Sequence, residues 1–111
     1  MSDTHKIKIK EGRADGTLKL SDGGHTFAKN KDFISWTIMK DTEVTSIESI
    51  DKKSGDDIFT TLPHPNGGDW IAEIKDGLPK DCEWEYSITW NGKYGRQVFD
   101  PKISVNPSFS S

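Results

Sequence analysis

The chain has 111 residues, a length that fits one domain built around a single hydrophobic core. Its formal charge at pH 7 is −3, and its Lys and Arg residues form no basic cluster, which argues against a nucleic-acid partner. Hydrophobic residues make up only 32% of the chain, so the four Trp, two Tyr and five Phe must supply much of the core.

No part of the chain carries the apolar run of a signal peptide or of a membrane-spanning segment. A cytoplasmic protein without a membrane partner is therefore the expectation. Cys82 is the only cysteine, so no disulfide can form within the chain.

The first part of the chain predicts a β-hairpin. Lys6–Lys10 alternates lysine with isoleucine, and Thr17–Ser21 alternates through two leucines, with the turn dipeptide Asp15-Gly16 between them. We expect the lysines to lie on the solvated face of an edge strand, where they also discourage pairing with another chain. His25–Asp32 is expected to be a loop or a short irregular strand that carries Phe27.

The next two segments, Phe33–Met39 and Thr42–Ile50, are both expected to form strands. Phe33–Met39 places Ile34, Trp36 and Ile38 on one face, as a central strand would. In Thr42–Ile50 the apolar residues recur every three positions, as in a helix, and a capping box is present. The many β-branched residues of this segment favour a strand, but the helix remains an alternative.

The segment Leu62–Gly68 contains two prolines and two glycines, and a loop is expected because such residues cannot sit inside a sheet. A short strand is expected to begin at Ile58 and Phe59, before this loop. Asp69–Lys75 then alternates between polar and apolar residues and predicts another strand.

Cys82–Trp90 is the clearest strand, since every second residue is apolar or aromatic and those between are charged or hydroxylated. Asn91-Gly92 follows and predicts a two-residue turn. That turn would place Trp84 opposite Phe99 and Ile88 opposite Gly95, although Gly95 could also mark a bulge. The last strand is expected to end near Val105, with a kink at Asp100-Pro101, and residues 106–111 are expected to form a frayed tail.

This pattern of seven or eight short strands without a long helix predicts an all-β fold, an antiparallel β-sandwich over residues 1–111. The ending Tyr-Ser-Ile-Thr-Trp-Asn-Gly-Lys, followed by Phe-Asp-Pro-Lys-Ile-Ser-Val-Asn-Pro, resembles the closing hairpin of small bacterial β-sandwich proteins, mostly uncharacterised. The resemblance implies an immunoglobulin-like or cupredoxin-like topology and hardly any activity.

A cupredoxin-like topology raises the question of copper, which requires two His, a Cys and usually a Met, grouped mainly on one late loop. Here no His follows Cys82, and Met39 lies far upstream. His5, His25 and His64 are scattered along the chain. We therefore predict neither a metal nor another cofactor.

No catalytic residue is predicted. The chain lacks a phosphate-binding Gly-rich loop, a Gly-x-Ser-x-Gly elbow and a His-Glu-x-x-His motif. Cys82 lies on the apolar side of its strand, which predicts a buried or half-buried thiol and not an activated nucleophile.

The aromatic residues are the unusual feature of the composition. Trp90 and Tyr94 flank the predicted turn, where full burial is hard, and are candidate binding residues in an exposed aromatic patch. The others fall on apolar faces and are predicted to fill the core: Trp36, Trp70, Trp84 and Tyr86.

The leading functional prediction is a non-catalytic recognition or assembly domain, whose partner is an unknown protein, peptide or glycan. It would be a monomer or weakly self-associating. One alternative is a carbohydrate- or peptide-binding module that uses Trp90 and Tyr94 as stacking platforms. Another is a small enzyme that uses Cys82 or an unrecognised pair of carboxylates.

Overall fold

The structure, a computed structural model, describes residues 3–107 and is all-β. Within that range it has ten strands where the sequence predicts seven or eight, because His25–Ala28 is a regular strand and the last strand is divided in two. The strands are β1 (Thr4–Gly12), β2 (Leu18–Leu20), β3 (His25–Ala28), β4 (Phe33–Ile38), β5 (Val44–Gly55), β6 (Phe59–Asn66), β7 (Asp69–Ile74), β8 (Cys82–Gly92), β9 (Gly95–Phe99) and β10 (Lys102–Val105).

The ambiguous segment Thr42–Ile50 is a strand from Val44 onward, as its β-branched residues predict. No helix within residues 3–107 has the length and apolar character needed to cross a membrane.

The strands form two five-stranded sheets. One has the order β2-β1-β4-β7-β6, and the other has the order β3-β10-β8-β5, with β9 also paired to β8. The pairs β1–β4 and β3–β10 are parallel, so the sheets are mixed and the prediction of wholly antiparallel sheets is wrong. The reason is the path of the chain: after the β1–β2 hairpin it crosses to the second sheet as β3, then returns beside β1 as β4. Alternation along a strand specifies its two faces but not its neighbours.

The predicted hairpin of β1 and β2 is confirmed, with Ile9 opposite Leu20. β1 is not an edge strand, however, because β4 pairs with its other side over Thr4–Ile9. Its lysines lie on the exposed face of the sheet, while Ile7 and Ile9 are buried.

The predicted loop Leu62–Gly68 is wrong for its first five residues, which belong to β6. β6 is an edge strand of its sheet and, among the described strands, pairs only with β7. Pro63 and Pro65 fit there because an edge strand has one side on which no backbone N–H is required for the ladder. The turn to β7 is confined to Gly67 and Gly68.

The closing hairpin turns at Lys93 and Tyr94, two residues later than predicted, with Gly92 opposite Gly95. Trp84 therefore lies opposite Ile103 and Ile88 opposite Phe99, so the predicted register is wrong. The left-handed conformation that the turn requires is taken by Gly95, at φ 84°, while Asn91-Gly92 stays in β8. The predicted interruption at Asp100-Pro101 is confirmed, since it separates β9 from β10.

The inner faces of the two sheets share one core. Its centre is aromatic: the Trp84 ring stacks on Tyr86 at 4.8 Å, and the Trp36 ring meets Tyr86 edge-on at 5.8 Å. These three residues are buried, as predicted, whereas Trp70 is half-buried and packs against the edge of the core.

The frayed tail predicted from residue 106 does not begin there. Asn106 donates a hydrogen bond from Nδ2 to Oδ1 of Asn30 (2.9 Å) and another to the Leu78 carbonyl (3.0 Å). The remainder of that prediction, residues 108–111, lies outside the described residues.

Candidate functional site

The predicted aromatic patch does not form, because Trp90 is 0% exposed. Its indole Nε1 donates a hydrogen bond to the Gly16 carbonyl (3.1 Å), and its ring packs closely against Gly12. The turn between β1 and β2 therefore covers the position at which the sequence predicts partial exposure. Tyr94 is 39% exposed, and the ammonium of Lys93 lies 5.7 Å from the centre of its ring.

Cys82 is buried at the start of β8, as predicted, and its Sγ lies 3.5 Å from the Pro79 carbonyl oxygen. Burial raises the pKa of the thiol, and the nearby Asp56 carboxylate raises it further. The thiolate that nucleophilic chemistry requires is therefore disfavoured at neutral pH.

His5 contacts a carboxylate that is buried in the loop between β3 and β4. Its Nε2 lies 2.7 Å from Oδ2 of Asp32, which also accepts the amide N–H of Lys29, while Oδ1 accepts that of Asp3. Burial alone would raise the pKa of Asp32, but the hydrogen bonds from His5 and the two amides outweigh it and lower that pKa. The carboxylate thus links the start of β1 to the loop that precedes β4.

His25 and Ser104 form the second pair that resembles catalytic machinery, with Nε2 and Oγ 2.6 Å apart. Ser104 is buried, and within residues 3–107 no carboxylate is hydrogen-bonded to His25. A catalytic serine needs both access to substrate and an oriented base. This pair instead joins the neighbouring strands β3 and β10.

No group of three or more His, Cys, Asp or Glu side chains in the described part of the chain is arranged to hold a metal ion. His5 and His25 do line one cleft, of about 410 Å³, where β1 and β3 approach each other, together with the exposed ring of Phe27. Both imidazoles already have partners within the protein, namely Asp32 and Ser104. That cleft is therefore built mainly from groups that hold the fold together.

A different kind of cleft, of about 610 Å³, opens between β5 and β6, the edge strands of the two sheets. Four of its lining residues are buried, namely Ile50, Ile58, Phe59 and Trp84, and the Phe59 ring meets Trp84 edge-on at 4.6 Å. Leu62 stands at its mouth with 68% of its surface exposed. The full lining is Ile50, Asp51, Lys52, Asp57, Ile58, Phe59, Thr60, Leu62, Pro63, Lys75 and Trp84.

Charged side chains surround this apolar interior. The Lys52 ammonium binds Oδ1 of Asp57 at 2.8 Å and, through that hydrogen bond and its charge, lowers the pKa of Asp57. Lys75 and Asp51 also line the cleft, and neither forms an ion pair within residues 3–107. The charge of Lys75 nevertheless contributes to the lowered pKa of Asp57. The cleft therefore combines an apolar interior with charged side chains of both signs.

The sequence does not reveal this site, because its pattern predicts a loop at Leu62 and only a short strand at Phe59. A usable signal is the segment Leu62-Pro63-His64-Pro65, in which a large apolar residue stands directly before prolines that an edge strand tolerates. The alternation of the chain cannot reveal that β5 and β6 border the same opening, since they belong to different sheets.

Compared with models of known protein families and with curated proteins, the chain has no match.

Proposed function

We propose that the chain is a non-catalytic recognition domain whose ligand binds in the cleft between β5 and β6. The observation that carries this proposal is the exposed Leu62 beside the buried apolar residues that line the cleft. Burying a leucine side chain contributes about 1.5–3 kcal/mol, so a ligand that covers Leu62 gains free energy that the unbound domain lacks. A volume of about 610 Å³ also suits a small ligand or a few side chains of a larger one.

We also propose that the fold is a β-sandwich of cupredoxin-like topology. Two sheets that share one aromatic core support the sandwich. The parallel pairs β1–β4 and β3–β10 favour the cupredoxin-like alternative, because immunoglobulin-like sandwiches consist of two antiparallel sheets. The scaffold would act without copper, since Cys82 is buried and the histidines are engaged elsewhere or distant.

The non-catalytic character is supported by the three groups best suited to chemistry. The Cys82 thiol is buried with a raised pKa, and His5 and His25 are committed to structural hydrogen bonds. We further propose that the domain acts in the cytoplasm as a monomer or weakly associating protein, without a nucleic-acid or membrane partner. Its net negative charge supports the exclusion of nucleic acid.

The test is a ligand screen on ¹⁵N-labelled protein by NMR, with a set of short peptides and a set of oligosaccharides. A saturable ligand is expected to shift the amide signals of residues 50–52, 58–62 and 75. Leu62→Asp should abolish these shifts, because it places a charge at the mouth of an apolar cleft.

The matched control is Val98→Asp, which changes another exposed apolar residue (53% exposed) on β9, outside the cleft. It should bind as the unchanged protein does. Saturable binding that maps to Lys93 and Tyr94, or that survives Leu62→Asp, would contradict the proposed site.

A further inference from the structure

We propose that the ligand of this cleft is an extended peptide that pairs as an added strand with the free edge of β5. This inference rests on the proposed function and specifies its partner. Within residues 3–107, β5 pairs only with β8, and residues 51–55 of β5 are all exposed. An edge strand offers unpaired backbone N–H and C=O groups, which can bind an extended peptide through main-chain hydrogen bonds.

The ladder of β5 is regular where it borders the cleft. The four residues Ser49–Lys52 pair with Thr89–Tyr86 of β8 without a register shift, whereas shifts interrupt the ladder before and after them. Ile50, Asp51 and Lys52 are also the β5 residues that line the cleft. The regular part of the edge and the apolar opening thus coincide.

β6, on the other side of the cleft, is a poor partner for an added strand. Pro63 and Pro65 have no N–H to donate, and the register of β6 shifts twice against β7. The peptide would therefore take its backbone hydrogen bonds from β5 and use β6 as an apolar wall.

The side chains of such a peptide alternate between two environments. Every second one would point between the sheets, towards Ile50, Ile58 and Leu62, so apolar residues at alternate positions are expected. The others would lie at the outer surface of the sheet that contains β5.

Charge complementarity supports a peptide that carries both signs. Lys75 and Asp51 line the cleft without ion pairs inside the described part of the chain, whereas Lys52 and Asp57 neutralise each other. A peptide with one acidic and one basic residue, separated by its apolar segment, could form salt bridges with Lys75 and Asp51, of which only Lys75 already acts on a neighbouring charge, that of Asp57. The order of the two charges would then select one direction of the peptide along β5.

The probes are two acetylated, amidated heptapeptides, Glu-Val-Thr-Val-Thr-Val-Lys and Lys-Val-Thr-Val-Thr-Val-Glu, measured by NMR titration and calorimetry. One order should bind several-fold more tightly, and Lys75→Glu should remove or reverse that preference. N-methylation of single residues in the tighter peptide should weaken binding about two- to tenfold at the positions whose N–H faces β5 and little at those between, because only the former lose a main-chain hydrogen bond to β5.

Any result that differs from these expectations contradicts a specific part of the proposal. Equal affinity of all N-methylated peptides, with shifts still at residues 50–52 and 58–62, would reject strand addition while leaving the cleft as the binding site. Binding of an oligosaccharide at these residues, with none of either peptide, would reject the peptide but not the proposed function. Absence of peptide binding together with dimerisation that Leu62→Asp abolishes would assign the cleft to a second copy of the chain. If neither a peptide nor an oligosaccharide binds at the cleft and the chain does not dimerise there, the proposed function itself is rejected. Leu62→Ser serves as a second variant if Leu62→Asp lowers the yield of folded protein.

Discussion

The indole Nε1 of Trp90 donates a hydrogen bond to the carbonyl of Gly16, 3.1 Å away and 74 positions earlier in the chain. The contact joins the C-terminal part of strand β8 to the turn between β1 and β2. It satisfies the only polar atom of a fully buried tryptophan side chain, a group whose burial without a partner would be costly.

Replacing Trp90 should therefore affect stability rather than binding. Trp90→Ala is expected to lower the free energy of unfolding by about 3–5 kcal/mol, the usual cost of truncating a buried large aromatic residue. Urea unfolding, followed by circular dichroism, measures this loss of stability. Tyr94→Ala, which removes the half-exposed ring at the same end, should change stability by less than about 1 kcal/mol. Similar losses for both variants would contradict this assignment.

Gly55 is required by its backbone and by its surroundings. Its φ is 100°, and a Cβ there would lie 2.2 Å from the Glu83 carbonyl oxygen. Gly55→Ala should therefore lower the free energy of unfolding by more than about 1–2 kcal/mol, which is the cost of the left-handed conformation alone. Gly67→Ala is the matched control, because Gly67 also has a positive φ (66°) but no atom within 4 Å of the added methyl group. Thermal unfolding of both variants should show the larger decrease in Tm for Gly55→Ala.

Asp32 should make stability depend on acid pH. Because its pKa in the folded protein is lowered, its ionised form favours the folded state above the ordinary value of 3.8. That contribution is lost as the pH falls below 3.8 towards the folded pKa. Asp32→Asn should therefore be clearly less stable than the unchanged protein at pH 7, and the difference should shrink near pH 3.

The measurement is urea unfolding at both pH values. Asp76→Asn is the control, because Asp76 is exposed and its ion pair with Lys31 is long, with 3.7 Å between Oδ2 and Nζ. A difference for Asp32→Asn that is equally large at pH 3 and pH 7 would show that packing, and not the charge of the carboxylate, explains the loss.

Cys82 should react with a thiol reagent only after unfolding. Its burial limits access, and its raised pKa leaves little thiolate at neutral pH. We expect labelling of the native protein by a disulfide dye at pH 7.5 to be at least about a hundredfold slower than labelling in 6 M guanidinium. Comparable rates would revive the enzyme alternative that uses this thiol.

The sequence predicts the faces of the strands better than their neighbours. The alternation in Cys82–Trp90 correctly places Trp84 and Tyr86 in the core, because burial of large aromatic residues decides which face turns inward. It cannot specify that β1 lies parallel to β4, since this depends on where the chain crosses between the sheets.

The two errors at the turns have different causes. Asn91-Gly92 is a strong turn signal, yet Gly95, three residues after Gly92, offers another left-handed position, and the hairpin uses it. The prediction that Trp90 is partly exposed is wrong for a non-local reason. The segment that covers Trp90, around Gly16, lies near the other end of the sequence. The cleft is missed for a similar reason: it lies between edge strands of different sheets.

The hydroxyl of Tyr86 gives the last prediction. It accepts a hydrogen bond from Nε1 of Trp36 at 3.1 Å inside the core, and burial raises its pKa far above the ordinary value of 10. Tyr86→Phe leaves the Trp36 donor without this partner and should cost about 1–3 kcal/mol at pH 7.

The Tyr86 hydroxyl should affect the pH dependence of stability in the direction opposite to that of Asp32. A raised folded pKa means that Tyr86 ionises more readily in the unfolded chain, so its contribution is complete below pH 10 and is lost as the pH rises above it. The unchanged protein should therefore lose stability between pH 10 and 11 more steeply than Tyr86→Phe does, in urea unfolding at each pH. Tyr94→Phe, at the exposed turn, should keep the steep loss. If Tyr86→Phe and the unchanged protein lose stability in parallel over this interval, the buried hydroxyl is not the group that titrates.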